Sequence, residues 1–150
     1  MNTIQPHREK YHDLYWAMAD AAATQSVADR ARVGCVIVTR TGMISVGWNG
    51  MPPGLSNRCE KHWVLDDGLP RQKTDPRVIH AERNAIDKMT REGVSTRGAI
   101  LFTTLSPCIE CAKSIGALEL ECVYIRDFHD SKEGLLLLSE LGVPWIKVER

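Results

Sequence analysis

No stretch of this chain stays apolar for long enough to cross a bilayer. Its longest apolar runs, residues 33–38 and 135–138, fall far short of the ~20 residues a spanning helix needs. Charge of one sign is lacking too. Nineteen Lys and Arg balance nineteen Asp and Glu, for a formal net charge of zero. A protein that holds a nucleic-acid backbone draws affinity from neutralised phosphates and carries a basic excess. Neutrality therefore points to a small substrate and to no nucleic-acid partner. Residues 1–8 have no apolar core like that of a signal peptide, so the expected location is cytoplasmic, with no membrane partner. An even cysteine set is missing as well. Five cysteines, Cys35, Cys59, Cys108, Cys111 and Cys122, argue against a disulfide framework in such a compartment. There is no internal repeat and no low-complexity tract.

What is present is 150 residues, 43% hydrophobic and 25% charged, the mix of one folded domain spanning residues 1–150. In residues 7–23, Tyr11, Leu14, Tyr15, Met18, Ala19 and Ala22 recur at spacings of three and four, which predicts an amphipathic helix. Residues 33–39 and 43–48 read as strands joined by a tight turn at Thr41-Gly42. Residues 55–77 lack periodicity and read as a long binding loop or lid. After it come a helix at 78–91, a strand at 99–105 and a helix at 108–118. A strand at 122–125, a helix at 131–141 and a strand at 144–148 complete the chain. Alternation with short links predicts parallel neighbours. The expected fold is α/β: a mixed five-stranded sheet with helices on both faces, in three α/β/α layers.

Two segments carry the chemistry: His80-Ala81-Glu82, and Pro107-Cys108-Ile109-Glu110-Cys111. Cys108 and Cys111 stand at i and i+3, on one helix face. A helix N-terminus favours thiolate, the metal-binding form, and Pro107 suits the first helical positions. His80 supplies a third ligand. Two cysteines and one histidine leave the fourth position of a tetrahedral zinc open to water, the pattern of a catalytic site. Glu82 is then placed to move protons, provided that His80 and Glu82 both lie in the first turn, since i and i+2 diverge within a regular helix.

H-x-E followed by P-C-x-x-C is the signature of zinc nucleobase deaminases, so the chain resembles the cytidine and deoxycytidylate deaminase superfamily. Gly47-Trp48-Asn49-Gly50-Met51-Pro52-Pro53-Gly54 resembles the glycine-rich segment of the deoxycytidylate branch, with Trp48 where tyrosine is commoner. Phe128-His129-Asp130 resembles that branch's tail motif. The resemblance implies hydrolytic deamination of dCMP to dUMP and ammonia. Zn2+ would sit on His80, Cys108 and Cys111, with Glu82 as the proton carrier. Asn49, Ala81, Ser106 and Phe128 would contact the substrate. It also implies a homohexamer regulated by dCTP and dTTP with Mg2+, through Asn49, Gly50, Met51, Pro52 and Arg91.

Each residue has a plainer reading. Cys-x-x-Cys also makes redox pairs and structural zinc clips. Glu82 can be a first-turn glutamate, and Arg91 a cation at a helix C-terminus. Asn49 can be a turn residue, and Phe128 a core residue. Cys35 and Cys122 read as small core residues. Cys59 and His62 are two possible ligands of a second zinc, too few for a closed site. Among Arg58, Lys61, Arg71, Lys73 and Arg77, sequence does not choose a contact for the 5′-phosphate. The rival functions are a cytidine deaminase, a tRNA adenosine deaminase, and a noncatalytic zinc-stabilised interaction domain.

Overall fold

The computed structural model describes residues 4–64 and 68–150. Chain order gives a helix α1 (His12–Gln25), a hairpin β1 (Gly34–Val38) and β2 (Ile44–Trp48), and a second hairpin β3 (Glu60–Val64) and β4 (Pro70–Thr74). Then follow α2 (Ala81–Glu92), β5 (Ile100–Leu105), α3 (Ile109–Gly116), β6 (Cys122–Asp127), α4 (Glu133–Glu140) and β7 (Trp145–Lys147). The main sheet runs β2-β1-β5-β6-β7. β1 lies antiparallel to both β2 and β5, whereas β5, β6 and β7 are parallel. This is the mixed five-stranded sheet expected from the alternating pattern.

Both faces of the central strands are covered, which is why β1 and the first half of β5 (Ile100, Leu101, Phe102) read as continuous apolar runs instead of alternating. On one face Tyr15, Trp16 and Ala19 of α1 pack on Val36, Val38, Ile100 and Phe102. On the other, Ala85, Ile86 and Met89 of α2, Ala112 and Ile115 of α3, and Leu135 and Leu138 of α4 cover Cys35, Ile37, Leu101, Val123 and Ile125. Burying each large side chain contributes about 1.5–3 kcal/mol. Cys35 and Cys122 are core residues, as their apolar strands suggest.

Three details differ from the sequence reading. The first helix starts at His12, after two 3-10 turns at Gln5–His7 and Glu9–Tyr11; Pro6 sits in the first of these. Leu14 faces outward, 54% exposed, and Trp16 takes the buried position. Residues 55–77 are not wholly irregular: β3 and β4 pair antiparallel, Glu60 opposite Thr74. The side chains of His62 and Arg71 lie outside the described residues. The third difference concerns residues 78–80. They are extended, with Gly50 and Ile79 exchanging both backbone hydrogen bonds, and α2 begins only at Ala81.

Glycine fixes two approaches that matter to the site. A Cβ on Gly47 would fall 2.2 Å from the Ala81 carbonyl oxygen, and one on Gly134 would fall 2.1 Å from that of Pro107. Without side chains there, β2 meets the start of α2 and α4 meets the loop before α3.

Candidate active site

The starts of α2 and α3 converge. His80 is the N-cap of α2, in extended conformation (φ −69°, ψ 157°), and Cys108 is the N-cap of α3 (φ −71°, ψ 173°). The condition that His80 and Glu82 share the first turn is not met: His80 stands just outside the helix and Glu82 in its first turn, and the extended backbone at His80 still leaves both beside Cys111. Pro107 precedes the N-cap of α3 and does not open the helix. Cys111 is in the first turn of α3, so both sulfurs sit at the positive end of a helix dipole.

His80 Nδ1 lies 3.3 Å from the Cys111 Sγ and 3.5 Å from the Cys108 Sγ. Among the described residues, His80, Cys108 and Cys111 form the one group of three His, Cys, Asp or Glu whose ligand atoms all lie within 4.8 Å. Tetrahedral zinc with bonds of about 2.0–2.1 Å to nitrogen and 2.3 Å to sulfur requires an N–S separation of roughly 3.6 Å. The trio fits that ion. In the metal-free protein the hydrogen bond from the Cys111 thiol, reinforced by the His80 ring, lowers the Cys108 thiol to about 3 despite its burial. The same hydrogen bond to Cys108, with burial, pushes the Cys111 thiol up. The His80 ring is raised by its bond to Cys108. Of the two thiols, Cys108 is thus the more acidic and Cys111 the less.

Glu82 is buried beside this trio, 4% exposed. Burial pushes its carboxyl above the ordinary glutamate range, against the pull of its own backbone N–H, the Cys111 thiol and the His80 ring. A carboxyl so placed holds a proton more readily than an exposed glutamate does, as a group that relays protons requires.

A cleft of about 350 Å³ opens over these groups. Asn49, His80, Ala81, Glu82, Ser106, Cys108 and Phe128 all line it, while Cys111 is buried behind. Phe128 is no core residue: 40% exposed, it meets Trp145 edge-on at 6.4 Å between centroids. The Asn49 amide ties the wall together, its Oδ1 accepting from Val33 N–H at 2.9 Å and its Nδ2 donating to the Ala31 carbonyl at 2.8 Å. The Ser106 Oγ accepts from His129 N–H at 2.7 Å and so anchors the loop carrying Phe128.

Gly50, Met51, Pro52 and Arg91 do not line this cleft. The Gly50 N–H is bonded to the Ile79 carbonyl and so does not face a phosphate. Met51 packs on Ala28, Cys59 and Val78. Arg91 pairs with Glu92 beside a separate cleft formed with β2, so one chain does not bring it together with residues 49–52.

His129, from the Phe128-His129-Asp130 motif, also lines the active cleft, together with Arg30, Glu60 and Thr74, which the sequence had not singled out. Their signal there is weak, since each comes from a segment that reads as surface loop. Of the loop cations with described side chains, Arg58, Lys61, Lys73 and Arg77, none lines the cleft. Among the described residues Arg30 is the one Lys or Arg on its wall.

Residues 9–126 match the family model of the cytidine and deoxycytidylate deaminase zinc-binding region. Mouse deoxycytidylate deaminase is 33% identical over 152 residues, covering 92% of this chain and 79% of that protein. ComE operon protein 2 of Bacillus subtilis is 33% identical over 144 residues, covering 95% and 73%. Among solved structures, dCMP deaminase from the cyanophage S-TIM5, in complex with dCMP and dUMP, superposes with a TM-score of 0.82. It shares 36% identity over 94% of this chain and 98% of that one. With a zinc-fitting trio at two helix starts and a family model that spans most of the sequence, the chain belongs to the cytidine and deoxycytidylate deaminase family.

Proposed function

We propose that this protein, one deaminase domain over residues 1–150, hydrolyses dCMP to dUMP and ammonia. The observation that carries this reading is the buried Glu82 carboxyl beside the His80–Cys108–Cys111 trio on the wall of one cleft. His80 Nδ1 and the two sulfurs would hold zinc, which when bound supplies a water acidified towards pH ~7. Glu82 takes a proton from the attacking water and delivers it to N3 of the ring, making C4 electrophilic. Once the water oxygen has bonded to C4, a second transfer through Glu82 moves the proton of that hydroxyl to the amine, and the C4–N bond breaks to release ammonia as C4=O forms. One water is consumed per turnover, and the net charge is unchanged.

Substrate contacts follow from the lining. The Ala81 N–H, at the first position of α2, has no partner within the helix and suits the O2 carbonyl. The Ser106 carbonyl would accept from the exocyclic amine. Each polar atom of the Asn49 amide has one bond to backbone, leaving a second hydrogen and lone pair for the sugar. The exposed face of Phe128 would pack on the base. Arg30 would meet the 5′-phosphate, and the His129 ring is a second donor. Its Nδ1 accepts from Ser131 N–H at 3.0 Å, which leaves the neutral ring's proton on Nε2.

The test is a deamination assay of the zinc-loaded protein across dCMP, deoxycytidine, cytidine, CMP and dCTP. The reading expects dCMP to have the highest kcat/KM by a wide margin. Equal values for dCMP and deoxycytidine would move the protein to the cytidine branch.

The finer readings stay attached to this one: a cytoplasmic homohexamer, with dCTP and dTTP bound with Mg2+ near Asn49, Gly50, Met51, Pro52 and Arg91. Since Arg91 and residues 49–52 lie apart in one chain, such a site would have to be completed by a neighbouring subunit. Light scattering together with dCMP kinetics at varied dTTP tests both. Hyperbolic kinetics indifferent to either triphosphate would remove the regulatory reading and leave the zinc chemistry intact.

A further inference from the structure

The active cleft has a second buried acid that the deamination steps do not use. Glu60, at the start of β3, is 3% exposed and lines the wall. Its Oε1 accepts two backbone N–H groups, from Asp29 at 2.8 Å and from Arg30 at 3.1 Å. The strand partner of Glu60 is Thr74, whose Oγ1 accepts from Arg30 Nη1 at 3.5 Å. Glu60 and its partner thus hold Arg30 at both ends, main chain and guanidinium.

The rest of residues 26–33 is tied down in the same manner. The Ser26 Oγ accepts from Ala28 N–H and donates to the Asn49 carbonyl, while the Asn49 amide binds Ala31 and Val33. This segment has no helix or strand of its own to satisfy its backbone, so side chains from elsewhere do so. Glu60 is the charged member of that set. A carboxylate on the wall of a cleft for a phosphate ester repels the substrate. The arrangement makes sense when the carboxylate's work is to fix a cation, because charge-assisted bonds to N–H groups are the stronger kind.

We infer that Glu60 is a positioning residue for substrate choice: by binding the Asp29 and Arg30 amides it sets Arg30 on the cleft wall, where the guanidinium recognises the 5′-phosphate. The inference rests on the dCMP reading above. Its consequence is that the preference for a nucleoside monophosphate over its nucleoside depends on Glu60, which touches neither the base nor the metal ligands.

The readout is the ratio of kcat/KM for dCMP to that for deoxycytidine, measured on the full zinc-loaded chain. Arg30→Ala and Glu60→Ala should each lower the ratio roughly 10–100-fold, as expected when a charge-assisted hydrogen bond is lost. The double variant should be no worse than Arg30→Ala, because the two act as one unit. Glu60→Gln, whose amide oxygen still accepts both N–H groups, should keep the ratio within about threefold of wild type. If Glu60→Ala yields no folded protein, Glu60→Asp carries the test. Its carboxylate is one methylene short of the amides, and the ratio should again fall. A Glu60 variant that slows both substrates alike, leaving the ratio intact, would overturn the inference, as would a double variant with additive losses. A wild type without a dCMP preference would instead overturn the substrate reading itself, and this inference with it.

Discussion

Cys108 is the residue on which the metal-free site turns. Its thiol is held down to about 3 by the Cys111 thiol and the His80 ring, whereas burial pushes Cys35, Cys59 and Cys122 up. Thiolate is the reactive form, and Cys108 is also the one partly accessible cysteine of the five. Iodoacetamide on zinc-stripped protein at pH 7 should therefore label Cys108 first, and zinc should protect it. Peptide mass spectrometry checks this; equal labelling of Cys59 and Cys108 would contradict the assignment. At this scale the sequence was informative where chemistry is compact. His80, Glu82, Cys108 and Cys111 show themselves by type and spacing. Arg30 and Glu60 do not, because their roles arise from two loops meeting across the cleft, and no local pattern marks a surface-like arginine or glutamate for such a meeting.

Elements, more than single side chains, aim the two ligand-bearing helix starts at one point. Gly47 admits the backbone of α2 against β2, and a side chain there would drive into the Ala81 carbonyl. Gly47→Val should cost about 1–3 kcal/mol, or roughly 2–4 °C in Tm for each kcal/mol in a chain of this size. It should also lower kcat, since Ala81 and Glu82 move with the helix. Calorimetry and turnover on the same sample test both, and an unchanged Tm would mean that β2 and α2 are not packed so closely. The base of the β3–β4 hairpin makes a pH-dependent contribution. The Arg77 side chain, with its backbone N–H, holds the Asp75 carboxyl down to about 2. A carboxylate held below its unfolded-chain value adds stability that is whole above about pH 4 and lost as pH falls towards 2. Asp75→Asn should flatten the acid limb of the stability profile over that window; an unchanged limb would show that the pair contributes nothing. The hairpin itself was hidden in the sequence. Glu60–Val64 and Pro70–Thr74 show no regular alternation of apolar and polar residues, so their antiparallel pairing has no periodic signal in the sequence. The start of α2 was placed three residues early for a related reason. Val78 and Ile79 continue the apolar pattern of the helix, yet the backbone exchange with Gly50 keeps them extended.

The molecule as a whole draws one cleft from segments far apart in sequence: the loop after α1, the end of β2, the β3–β4 hairpin, the starts of α2 and α3, and the loop after β6. The three-layer fold was legible because its strands and helices alternate with clear periodicity, and each layer buries most of what that periodicity says it should, Leu14 of α1 being an exception. Cleft walls carry no such period, which is why the sequence named the reactive floor of the site more fully than its rim. Whether this cleft works as a zinc-dependent deaminase with Glu82 carrying the proton is decided by one pair of proteins. Wild type and Glu82→Gln are purified with zinc, their zinc per chain is measured, and the conversion of dCMP to dUMP is followed for both. Both should hold equal zinc, about one per chain, with turnover reduced ~100-fold or more in the variant, because an amide does not shuttle protons. Turnover close to wild type in a fully zinc-loaded Glu82→Gln protein would contradict that role of Glu82.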